Sequence, residues 1–121
     1  MPKAVVSLDT KKFDLKSLPE GFVELRPMSF GQVVQRRSLL KLSVVAGKNK
    51  SFQGEMAMMS EEVTRFEYRT CIVDHNLEDE TGRKLNLASE NDFRRLDPRV
   101  GSEIDQLISD MNNFDEDDQE N

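Results

Sequence analysis

Phe66-Glu67-Tyr68-Arg69-Thr70-Cys71-Ile72-Val73-Asp74-His75-Asn76 is the stretch on which the fold turns. Val63, Phe66, Thr70 and Val73 recur at i, i+3, i+7 and i+10, one stripe of a 3.6-residue helix, and Cys71 and Ile72 widen it. Ser60 offers an N-cap, with Glu61 and Glu62 in the first turn, where the helix dipole favours acids. The spacing predicts a helix entered at Ser60 and ending near His75-Asn76.

Downstream, Leu77-Glu78-Asp79-Glu80-Thr81-Gly82 reads as a loop or tight hairpin, with Leu85 and Leu87 returning as a short extended piece. Ser89 can cap a short helix through Phe93 and Leu96. Asp97 then caps a last helix, with Pro98 at its first position, where a missing N–H costs nothing. Val100, Ile104, Leu107, Ile108 and Met111 form its apolar stripe, which fades at Asn112-Asn113.

Upstream, residues 4–8 read as a Val-rich strand and 9–12 as a turn. Phe13 and Leu15 alternate with polar residues, and 17–21 is a loop. Residues 22–26 read as a second strand with Val23 and Leu25 on one face, Phe22 and Glu24 on the other. Pro27 ends it. Ser29 and Gln32 have capping-box spacing, and a helix is predicted over 30–45. Phe30, Val33, Val34, Leu40 and Val44 would form its apolar face, with Arg36, Arg37 and Lys41 outside and Gly47 as the stop. Residues 52–59 fit a helix or a strand. The fold class is therefore α+β: a small N-terminal β element of two or more short strands packed with three to four helices. Residues 1–113 form a single domain, and 114–121 form an acidic, disordered tail.

The bulk numbers fit that size. The chain has 121 residues, 36% hydrophobic and 33% charged, with one Cys, one His and no Trp. No apolar run approaches the ~18 residues of a membrane span. A lone cysteine excludes an intrachain disulfide and suits a reducing compartment. The net charge of -6 is unevenly spread: residues 25–54 carry +6 with no acid, 55–113 carry -7, and 114–121 carry -5. Such a charge dipole along the chain suggests binding to another protein, or pairing between copies as a homo-oligomer, ahead of nucleic acid.

Candidate chemistry is thin. Cys71 and His75 lie four apart, but one of each falls short of the roughly four ligands of a zinc site. The calcium-loop likeness from Asp74 fails, with Asp79 where Gly is needed and Leu85 where a bidentate Glu is needed. The expectation is no catalytic residue, no cofactor and no metal. Phe52 with Met56, Met58 and Met59 offers an adaptable apolar cluster that suits either core or binding surface. With Arg36, Arg37 and Lys41, these are the candidate partner-binding residues.

Several runs, taken together and in order, resemble the tail assembly chaperones of long-tailed bacteriophages. They are Phe66-Glu67-Tyr68, Cys71-Ile72-Val73-Asp74-His75-Asn76-Leu77, Asp79-Glu80-Thr81-Gly82, Leu96-Asp97-Pro98-Arg99-Val100-Gly101-Ser102-Glu103-Ile104 and Met111-Asn112. Leu25-Arg26-Pro27-Met28-Ser29-Phe30 is similar to the strand-to-helix entry of those proteins, and the likeness covers residues 22–113. The resemblance implies a non-enzymatic protein of the infected host's cytoplasm. It would bind the tape measure protein, keep it soluble, help recruit tail tube subunits, and be absent from the mature virion. In many phages a translational frameshift also makes a longer form. Two other classes stay open: a small nucleic-acid-associated regulator using the basic segment 26–50, and a structural adaptor retained in the particle.

Overall fold

The structure is a computed structural model that describes residues 2, 4–6, 9–47 and 53–112, with side chains of 42–60 outside the description. The elements run β1 (Lys11–Asp14), β2 (Phe22–Leu25), α1 (Phe30–Gly47), α2 (Gln53–Cys71), β3 (Ile72–His75), α3 (Glu90–Arg95) and α4 (Pro98–Asn112). The three strands form an antiparallel sheet in the order β1-β2-β3, and the fold is α+β as expected. Among the described residues no helix is long and apolar enough to cross a membrane. The reading of 114–121 as a disordered tail lies outside the described residues.

The central strand β2 organises the core. Val23 and Leu25 alternate with Phe22 and Glu24, and both face inward with no exposed surface. Ile104 and Ile108 of α4 meet them, equally buried, and Tyr68, Cys71, Leu77 and Val100 complete the same cluster. Each such aliphatic side chain contributes about 1.5–3 kcal/mol on burial. Tyr68 also meets Phe93 edge-on, ring centroids 5.3 Å apart at 69°.

Two elements differ from the sequence expectation. The helix through Cys71 starts earlier, at Gln53, so Ser60 lies inside it; the Gln, Glu, Met and Ala residues ahead of Ser60 are good helix formers. It also ends earlier. Ile72 to His75 leave the helix and pair with β2, Val23 opposite His75 and Glu24 opposite Asp74. The β-branched pair Ile72-Val73 gains little from a helix and much from a waiting strand partner. The Arg26 N–H donates to the Cys71 carbonyl at 2.9 Å, tying the end of α2 to the chain leaving β2.

The first strand is also displaced. Residues 4–6 pair with nothing among the described residues, and 7–8 lie outside them. Lys11–Asp14, expected as turn and alternating segment, pairs with β2, Lys12 opposite Glu24 and Phe13 opposite Val23. Lys12 sits over the Phe22 ring at 4.2 Å, and the Thr10 hydroxyl donates to Glu24.

The loop between β1 and β2 is held from outside. Glu103 of α4 accepts the Lys16 and Ser17 N–H groups at 2.8 Å and the Ser17 hydroxyl at 2.6 Å. The Asn76 amide donates to the Glu20 carbonyl and accepts the Phe22 N–H, each at 2.8 Å. The turn at Thr81-Gly82 forms as expected. Asp79 accepts the Thr81 N–H at 2.9 Å, and Gly82 takes a φ of 86°, a region its missing Cβ permits. The cap at Asp97 also forms, its carboxylate accepting the Arg99 N–H at 2.8 Å. Ser89 is the N-cap of α3 as expected, but its side chain makes no capping bond.

Candidate functional site

Helices α1 and α2 form a hairpin that leaves the sheet between β2 and β3. Its entry is a closed capping box: the Ser29 N–H donates to Gln32 Oε1 at 2.9 Å, and the Gln32 N–H donates to the Ser29 hydroxyl at 3.4 Å. Val33 and Leu39 face the core. Phe30 and Val34, expected on the same apolar face, instead point to solvent, 76% and 41% exposed. They lie one turn apart on one face, and Lys41 continues that exposed side. The helix thus has apolar residues on both sides, and its inner face meets α2 through a mixed contact.

That mixed contact is the chief correction to the charge reading. Arg36, expected outside, is only 8% exposed and is ion-paired through Nε with Glu67 of α2. Arg37 is half-buried and engaged, and Lys41 is exposed. Arg26 turns inward too, donating from Nε to the Thr70 carbonyl at 3.0 Å. The basic stretch is thus partly consumed in holding the hairpin to its base.

Of the remaining candidates, Phe52 lies outside the described residues. Met56, Met58 and Met59 fall within α2, and their side chains lie outside the description. The hairpin therefore carries the methionines on the helix whose base sits in the core.

The two chemically reactive side chains are drawn apart. Cys71 ends α2 and His75 ends β3, so the shared helix face does not exist. Burial pushes the Cys71 thiol up to about 12, so it is a poor nucleophile, and the Asn112 amide lies 4.0 Å from its sulfur. Burial likewise pushes His75 below its ordinary value, and its Nδ1 accepts the Leu77 N–H at 3.0 Å. That bond requires the neutral ring. Among the described residues no group of three or more His, Cys, Asp or Glu converges as a metal site.

The acids of the 78–80 turn are taken up by structure. Asp79 accepts the Thr81 and Arg83 N–H groups, and the Thr81 hydroxyl bond holds it down to about 2. Glu80 takes both its oxygens to Arg95, at 2.7 and 2.9 Å. Asp92 receives the forked Arg83 guanidinium at 2.8 and 3.1 Å.

One concave feature was not legible in the sequence. A groove of about 510 Å³ lies between β3 and residues 84–88. Its position follows from an irregularity in the sheet: Glu24 pairs with Asp74 but Leu25 with Ile72, so Val73 is an extra, unpaired residue. Val73 is 45% exposed at the groove, where Lys84 also pairs with Asp74 at 3.0 Å. Hydrophobic period gives no sign of a bulge, because Val73 also continues the helical stripe.

No protein-family model, curated protein or solved structure matches this chain.

Proposed function

We propose that this chain is a non-catalytic assembly chaperone of the tail assembly kind that its sequence resembles, binding the tape measure protein in the host cytoplasm and helping recruit tail tube subunits. The observation that carries the reading is the outer face of α1, where Phe30 and Val34 stand in water one turn apart on a hairpin rooted in the core. A helix that needed only to complete its own domain would turn such residues inward, as α4 does with Ile104 and Ile108. An amphipathic client helix can lay its apolar face against residues at that spacing.

The regulator reading gains nothing from the geometry, since Arg26 and Arg36 spend their guanidinium groups inside the fold. Co-expression with a phage tape measure protein, taken from the same genome as this chain, tests the proposal. The wild-type chain should move that protein into the soluble fraction, and Phe30→Asp with Val34→Asp should return it to the pellet. Mass spectrometry of purified virions should find the chain missing. A tape measure protein equally insoluble with and without the chain overturns the reading, and retention in virions favours the adaptor.

A further inference from the structure

The groove beside β3 is separate from the outer face of α1 and is not used by the proposed chaperone contact. Tyr68, Ile72, Val73 and Leu87 line it with apolar surface, while Arg69 and Lys84 supply its cations. Tyr68 and Leu87 are anchored in the core, so that wall is rigid; Val73 is free to meet a ligand. Among the described residues no hydrogen bond or ion pair engages the exposed Arg69 guanidinium, and Lys84 has only the half-exposed Asp74. We propose that this groove is a second docking site, for a short acidic peptide segment of a partner protein that inserts one apolar or aromatic side chain.

Charge decides the partner's chemistry. The groove has two cations and one carboxylate, so it attracts a segment with carboxylates on either side of the anchor. One ligand carboxylate pairs with Arg69, and another competes with Asp74 for Lys84. The sheet geometry decides the mode. β3 is an edge strand, but the bulge at Val73 breaks the regular spacing that an added strand needs. Recognition therefore runs through side chains and not through a new backbone ladder.

The test uses the full chain labelled with ¹⁵N and a capped pentapeptide with one central phenylalanine flanked by two glutamates on each side. Saturable amide shifts are expected at Val73, Asp74, Leu87 and Ala88. A control peptide with lysine in place of every glutamate should not bind. Arg69→Gln, an exposed change that leaves the fold in place, should weaken the glutamate peptide about fivefold, the upper range for one exposed ion pair. Phe30→Asp should leave it unchanged, which separates this site from the client surface on α1. No saturable shift at millimolar peptide, or equal shifts with the lysine peptide, overturns the proposal. Strong new exchange protection of the Val73 amide also overturns it, because that would mean strand addition.

Discussion

Arg36 and Glu67 show what a single pair can do to a helix face. They are 31 positions apart and almost fully enclosed between α1 and α2. Removing one partner takes away this ion pair while the other charge stays buried, so Glu67→Ala should lower the unfolding free energy by about 3 kcal/mol in urea titration. Replacing both with Met should cost far less, and the double-mutant cycle measures the difference. Gly21 is constrained differently. A Cβ there would sit 2.9 Å from Leu18 Cδ2 and 3.1 Å from the Leu18 carbonyl, whose oxygen the Gly21 N–H already uses. Gly21→Ala should therefore destabilise by about 1–3 kcal/mol, the range for overpacking a tight site, seen as a lower melting temperature. His75 adds a pH signature. Its folded pKa lies below its ordinary value, so its contribution is complete above about pH 6.5 and is lost as pH falls through the lowered folded value. The denaturation midpoint should drop on acidification below neutrality, and His75→Gln should flatten that drop. A midpoint equally pH-dependent in the variant would show that other groups titrate there.

At the scale of elements, legibility followed how local the deciding contacts are. The last helix was readable because Pro98 and the stripe from Val100 to Met111 lie within it and its cap, Asp97, immediately precedes it. The capping box at Ser29 and Gln32 was readable for the same reason. β3 was not, because Val63, Phe66, Thr70 and Val73 keep helical period straight through Ile72-Val73; only β2, far upstream, makes extension the better state. β1 was missed likewise, since Lys11 and Lys12 become strand by pairing with β2. The inward turn of Arg36 had no local sign at all, and neither did the groove beside Val73. Two changes test these assignments. Ile104→Asp would bury an unpaired charge beside Val23 and Leu25, and should destabilise by several kcal/mol on thermal melting. Asp97→Ala, which removes the cap bond from the Arg99 N–H and the exposed ion pair with the Arg99 guanidinium, should cost about 1 kcal/mol.

At the scale of the whole molecule, the core and the proposed binding surfaces are different residues. Val23, Leu25, Ile104 and Ile108 hold the fold, while Phe30 and Val34 on α1 take no part in it. Phe30→Asp with Val34→Asp should thus leave the melting temperature within a degree or two while abolishing client solubilisation. The Arg26 N–H to Cys71 carbonyl bond has a further consequence. It fastens the two feet of the α1–α2 arm together at the sheet, and the arm hangs between strands that would pair without it. Whole turns added to or removed from both limbs would leave β2 and β3 in register, so the reach of the arm and the stability of the sheet are separable properties of this chain.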